Sequence, residues 1–425
     1  PDLGTDIPGT SKFQATENAT YTVYAADLAG NKTVKTITIS NIVTDQLTIS
    51  LTPSATSPVN AAVTVTVTAS VPGEASGNEL TVLKWAQGSY TIDDFADPDL
   101  GTDIPGTSKF QATENGTYTV YAADTAGNKK AETIEIKNIV TELPTIALSP
   151  SATTPVNDAV TVTVIATVSG TASGNELIAL KWAEGSYAAS DFADPSFGTD
   201  IREAGAFHAT ENGIYTVYAA DTAGNKKVEW IEISNILSEL PMITLNPGTT
   251  SIVNTPVEIS VAATVYGEEA GNELAALKWA EGSYTTGDFA DPAFGTDIKE
   301  VRTFQATRNG TYTVYAADSA GNRKAAVLSI SNIVTELPTI SLDYNPKDSN
   351  QASVEISVTA AVYGEESGNG IAALKWAEGE LGASAFDDTA FGTDVPESGL
   401  ISVSRNGKYT VYAADRAGNK RTSTI

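Results

Sequence analysis

The stretch YAADTAGNK, Tyr121 to Lys129, returns with small changes at Tyr24, Tyr218, Tyr315 and Tyr412. Its Asp, its Gly-Asn pair and its closing Lys or Arg would suit a metal loop or a phosphate cradle as well as a hairpin. The flanks decide. NGTYTV before it and KKAETIEI after it both read as strands, whereas a phosphate cradle needs a helix after the glycine. Gly127 supplies the positive φ that a tight turn asks for, and Asp124 is expected to hydrogen-bond the loop amides. The stretch is therefore a strand, a short loop and a strand, with calcium ligation by the Asp as the competing use.

The repeated Asp falls at Asp27, Asp124, Asp221, Asp318 and Asp415, each 97 residues from the last, and Trp85, Trp182, Trp279 and Trp376 keep the same spacing. A constant period of that length means whole domains in tandem, because about 100 residues can close a core of their own. The 425-residue chain then divides into the last half of a module at 1–43 and modules at 44–139, 140–236, 237–333 and 334–425. A half-sandwich at 1–43 exposes its core face, so it is expected to be completed either by sequence outside this chain or by a neighbouring chain.

Inside one module every local signal is β. VTVTVIATV from Val160 alternates cleanly, TIALSP sets Ile146 and Leu148 on one face, and ELIALKWA sets Leu180 and Trp182 on one side. SGTASGN, ADPSFGTD and ENG punctuate the strands. About seven half-buried strands in such a length give an all-β fold, a tandem array of antiparallel β-sandwiches. Two details make the sandwiches immunoglobulin-like. A Trp sits on the third strand, and NGTYTV has the form of a tyrosine corner, with Asn115-Gly116 turning the chain and Tyr118 opening the next strand. The expected structural core is therefore Trp85, Trp182, Trp279 and Trp376 with Tyr118, Tyr215, Tyr312 and Tyr409. There is no cysteine; Val120 and either Val63 or Val65 stand where antibody domains carry a disulfide, so apolar packing must hold the sheets together.

Composition narrows the partners. With 52 acidic and 25 basic residues the chain carries a net charge of −27, which repels nucleic acid and anionic membranes and attracts cations such as calcium. No apolar run reaches the roughly 18 to 20 residues a spanning helix needs, so no membrane insertion is expected. Hydrophobic residues at 41% suffice for packed interiors.

The pattern LKWAEGSY…F…ATENGTYTVYAADTAGNK…IEISNI resembles the bacterial immunoglobulin-like repeats of secreted and cell-surface proteins, mostly of Firmicutes. Hosts of such repeats include S-layer proteins, adhesins and the non-catalytic parts of wall-associated polysaccharide hydrolases. Trp182, Tyr215, Tyr218 and Asp221 to Asn225 match that pattern, as do their counterparts 97 residues away. The last module departs from it, with GNG at Gly368 and AFDDTAFG in place of DFADPAFG. The resemblance implies spacers or presenting stalks with no shared catalytic residues.

Catalysis finds little support in the residues themselves. The one histidine, His208, is replaced by Gln111 and Gln305 in the sister modules. The carboxylates Asp194 and Asp200 recur as part of a turn-rich segment and not in a single cleft. Calcium, which wants six to eight oxygen ligands, has two candidate sites. At the joint between modules the fold should gather Glu142, Asn175, Glu176, Asp221 and Asn225, with Glu114 and Asn115 approaching from the preceding module. In a loop, Asp97, Asp99 and Asp103 lie close in sequence. Sugar binding would need exposed aromatics. Trp230 alternates with Ile231 and Ile233 and should point outward, its counterpart being Thr133; Tyr121, Tyr218 and Tyr315 are expected to be partly exposed.

The expectation is thus a non-catalytic shaft or spacer of an extracellular bacterial surface protein, an S-layer component or adhesin stalk that holds other domains away from the wall. Its partners would be other domains of the same protein, neighbouring copies in a surface layer or filament, and cell-wall polysaccharide. The alternative is a calcium-dependent adhesin or a carbohydrate-binding array.

Overall fold

The computed structural model describes residues 4–7, 11–106, 108–344 and 352–425. The chain divides into two compact units. One comprises Pro1–Ser149, Val162–Phe207 and Gly213–Glu232; the other comprises Pro150–Thr161, His208–Asn212 and Ile233–Ile425. Both are built from repeated immunoglobulin-like sandwiches.

The chain begins with an antiparallel pair, β1 (Ala19–Ala26) and β2 (Lys32–Ile39), in which Tyr24 lies opposite Val34. Tyr24, Val34 and Ile37 are exposed there. The first full set of strands is β3 (Thr48–Pro53), β4 (Val63–Ser70), β5 (Leu80–Gln87), β6 (Thr102–Asp103), β7 (Lys109–Ala112), β8 (Gly116–Asp124) and β9 (Lys129–Ile136). They form a three-stranded sheet ordered β3-β4-β7 and a four-stranded sheet ordered β6-β5-β8-β9, and the same two sheets recur in each later module. Alternation explains the facing. Along β4, Val63, Val65 and Val67 are buried while the intervening threonines are not, as period-2 side-chain direction requires. They meet Phe110, Tyr118, Val120 and Ile136, with Trp85 half-buried at the edge of that core. Phe110 stacks on Trp85 at 4.7 Å between ring centroids. The hydroxyl of Tyr118 donates to the Glu114 carbonyl at 2.7 Å, which closes the corner ahead of β8.

The outer face of the four-stranded sheet differs from expectation. Tyr121, Tyr218 and Tyr315 are not partly exposed; only 6, 5 and 6% of each is accessible. The segment between β5 and β6 folds back over that face through a single 3₁₀ turn, Asp94–Ala96, and Phe95 stacks flat on Tyr121 at 4.7 Å. Phe192 and Phe289 cover Tyr218 and Tyr315 in the same way, both at 4.8 Å. Lys84 fastens the flap by donating from Nζ to the Pro98 carbonyl at 2.8 Å. Gly101 ends it with φ +81°, where a Cβ would stand 2.9 Å from the Trp85 carbonyl oxygen. Each module therefore has a second, smaller aromatic core outside the sandwich.

Candidate functional site at the module joints

The hairpin of the opening stretch is the base of the joint. In the module at 140–236, Asp221 closes the strand and Asn225 reopens the next. The Asn225 backbone N–H donates to Asp221 Oδ1 at 2.8 Å, and the Asn225 and Asn175 side-chain amides both donate to Oδ2, at 2.9 and 3.0 Å. Asn175 reaches this carboxylate because Gly170 and Gly174, both at positive φ, pinch the preceding loop into a single 3₁₀ turn. Its own Oδ1 accepts the Ala223 N–H at 3.0 Å. Asp221 is 0% exposed and Asn175 1%, so a charge that would be costly to bury alone is held by three N–H donors. The latch recurs as Asn78–Asp124–Asn128, Asn272–Asp318–Asn322 and Asn369–Asp415–Asn419.

From the latch the contacts pass to the neighbouring module. The Asn225 side-chain amide also donates to the Val140 carbonyl in the linker at 2.9 Å; Asn322 does so to Leu237 and Asn419 to Val334, both at 2.8 Å. From the other side Asn115 grips the linker residue Ile139 through both its backbone groups, at 2.8 and 2.9 Å. Asn138 donates to the Ser57 carbonyl at 2.7 Å, and Val59 pairs with Ile139 in a parallel bridge. Asn60 N–H then donates to the Ala223 carbonyl in the hairpin tip at 3.0 Å, as Asn157 does to Ala320. The Val140 side chain lies against Gly170, where a Cβ would come within 2.5 Å of a valine methyl; Leu237 lies against Gly267 and Val334 against Gly364 in the same manner.

Of the five residues expected at this joint, Asn175, Asp221 and Asn225 come together and the two glutamates stand apart. Glu142 is exposed and accepts from the Ser169 hydroxyl. Glu176 joins through its backbone, donating to Thr222 Oγ1 and accepting from Thr222 N–H. Glu114 offers its carbonyl to Tyr118. In the loop, Asp97 Oδ1 accepts the Asp99 N–H at 3.0 Å as a turn former, while Asp103 lies on β6 opposite Lys84. Among the described residues no group of three or more His, Cys, Asp or Glu side chains converges as a metal site. Asp194 binds Ser196 and Asp200 binds Arg202, so the two carboxylates serve separate partners. His208 meets Thr161 across a sheet at 2.9 Å, and Trp230 is 60% exposed.

Sequence reasoning passed over Asn60 and the glycine under the linker. The signal was present: PVN at Pro58 and Pro155, and VN again at Val253, keep the 97-residue period.

Titration reads out the latch. Burial pushes the Asp124 carboxyl up, but the N–H donors of Asn128 and Asn78 outweigh it and hold it below the ordinary carboxylate range. A lowered folded value stabilises the fold fully above the unfolded-state pKa of about 3.9. That stabilisation disappears as pH falls through the folded value. Thermal melts between about pH 6 and 2 should show the wild-type chain losing stability more steeply below about pH 4 than Asp124→Asn, which has nothing to titrate there. Parallel acid slopes would mean that the latch carries no linkage.

No family model matches the chain, and no curated protein matches it. Solved structures do. The extracellular domain of protocadherin gamma B4 aligns over 98% of this chain and 78% of its own, at 10% identity and a TM-score of 0.28. A structure of a 1.5-MDa bacterial ice-binding adhesin, titled for host cell surface retention, aligns over 67% and 97%, at 13% identity and a TM-score of 0.32. The human desmocollin-1 ectodomain aligns over 96% and 84%, at 12% identity and 0.22. Superpositions this loose carry no function from one protein to another. No helix among the described residues is long and apolar enough to cross a membrane.

Proposed function

We propose that the chain is a non-catalytic shaft of an extracellular bacterial surface protein, whose modules hold other domains of the same protein away from the cell wall. The observation that carries this is the sameness of the joints. The asparagine grip on the linker carbonyl keeps a length of 2.8–2.9 Å at three successive junctions, while the surface position of His208 is Gln111, Gln305 and Ser402 in the other modules. A spacer needs its joints specified and little else. The extracellular setting follows from the resemblance to bacterial surface repeats, with neighbouring copies in an S-layer and wall polysaccharide as further partners.

The joint is read as closing by hydrogen bonds, with calcium as the rival. The absence of native cysteine lets spin labels be placed cleanly at Lys109→Cys and Lys226→Cys, one on each side of the joint between modules 44–139 and 140–236. A single narrow distance distribution is expected, unchanged by chelator or by millimolar calcium, with the melting temperature constant to about 1 °C because nothing binds the folded state alone. A broad distribution would rule out a stiff shaft. A distribution that narrows, or a melting temperature that rises, only with calcium would favour the calcium-dependent adhesin.

A further inference from the structure

The last module breaks the repeat at the mouth between its two sheets. In the other modules a phenylalanine lies flat on the tryptophan: Phe110 on Trp85, Phe207 on Trp182 and Phe304 on Trp279, at 4.7, 4.6 and 4.4 Å and within 12° of parallel. At 334–425 the equivalent residue is Ile401, which is buried, and Trp376 keeps a ring contact to Tyr409 alone among the described residues. In the module before, Arg308 closes the same mouth by a two-point ion pair with Glu281, at 2.5 and 3.0 Å. Arg405 and Glu378 stand at the matching positions, yet among the described residues neither side chain has an ion-pair or hydrogen-bond partner. Glu380 and Lys408, which have no acidic or basic counterpart in the other modules, pair beside them instead. What remains is an open groove of about 520 Å³ lined by Trp376, Glu378, Thr393, Ser402, Ser404 and Arg405.

We infer that this groove is a binding site for neutral pyranose rings of an oligosaccharide. Its volume lies within the usual span of ligand sites. The indole is half-buried but lines the groove without a phenylalanine stacked on it, and it offers an apolar face for the C–H side of a sugar ring. Around it the guanidinium provides a planar fork of donors, the carboxylate an acceptor, and three hydroxyls partners of either kind, which suits a ring edged with hydroxyl groups. An apolar ligand would bury Arg405 and Glu378 without partners. The two charges cancel locally, and a chain of net charge −27 repels acidic glycans. The site is independent of the shaft reading and belongs to one module only.

The test uses the full chain with uncharged cellohexaose, maltohexaose and chitohexaose, and an acidic oligogalacturonate as contrast, followed by calorimetric titration. At least one neutral hexasaccharide should bind with a Kd of about 1 mM or tighter, by stacking and a few hydrogen bonds. Ile401→Phe restores the side chain that the sister modules carry and should melt no lower than wild type while weakening binding about tenfold or more. Arg405→Ala should weaken it by a similar factor, since a hydrogen bond from a charged donor is lost. The proposal is overturned if no neutral sugar binds, if the acidic oligomer binds best, or if Ile401→Phe binds as tightly as wild type.

Discussion

Asp221→Ala should unfold its module at a temperature lower by about 12 °C or more. The substitution removes the acceptor for three buried donors, the Asn225 backbone and the Asn225 and Asn175 side chains. An unmet buried donor costs about 1–3 kcal/mol, so even with one donor reaching water the loss is roughly 3–5 kcal/mol. For a domain of about 100 residues each kcal/mol moves the midpoint by about 4–8 °C. Differential scanning calorimetry of the whole chain should then show one transition leaving the others. Asp221→Asn should recover less than half of the loss, because its amide turns one acceptor position into a donor facing other donors. A shift below about 3 °C for Asp221→Ala would mean that the carboxylate is dispensable to the latch.

That latch also marks where reading the chain stops being enough. The hairpin half of it, Asp221 to Asn225, is local: an Asp, a glycine at positive φ and an Asn four residues on specify their own hydrogen bonds. Asn175 lies 46 residues away, and only the strand order brings it to Asp221. A gathering of oxygen-bearing side chains at the joint was therefore legible, but its chemistry was not. The Asn residues turn their amide nitrogens to the carboxylate, and the two glutamates face elsewhere. A similar limit applies to Tyr121. Alternation gives its outward direction correctly, yet Phe95 comes from a turn-rich segment whose path over the sheet has no period to read. The sandwich itself was the most legible feature, because strand alternation and a strict 97-residue repeat are patterns every module restates.

Gly170→Val should loosen the joint more than it damages the module. Gly170 has φ +72°, and a Cβ there would lie 2.5 Å and 3.2 Å from the two methyl carbons of Val140. A side chain in the left-handed region costs about 1–2 kcal/mol. Val140, only 6% exposed, must also leave its place, forfeiting about 1.5 kcal/mol or more of burial. The two costs differ in location. The backbone strain falls on the loop that ends at Asn175, whereas the displaced valine belongs to the linker, whose carbonyl holds the Asn225 amide. The spin-label distribution across the joint should therefore broaden, with cleavage by protease appearing near Val140, while the module's melting temperature falls by less than in Asp221→Ala. Val140→Ala added to Gly170→Ala separates the two contributions. Trimming the valine relieves the contact but not the φ, so the double variant should regain the narrow distribution and keep the lower melting temperature. If both measures recover together, or neither does, the glycine does not act through the linker valine. Because Leu237 meets Gly267 at the same 2.5 Å, the same pair of substitutions one module along should give the same split, as a joint built by repetition requires.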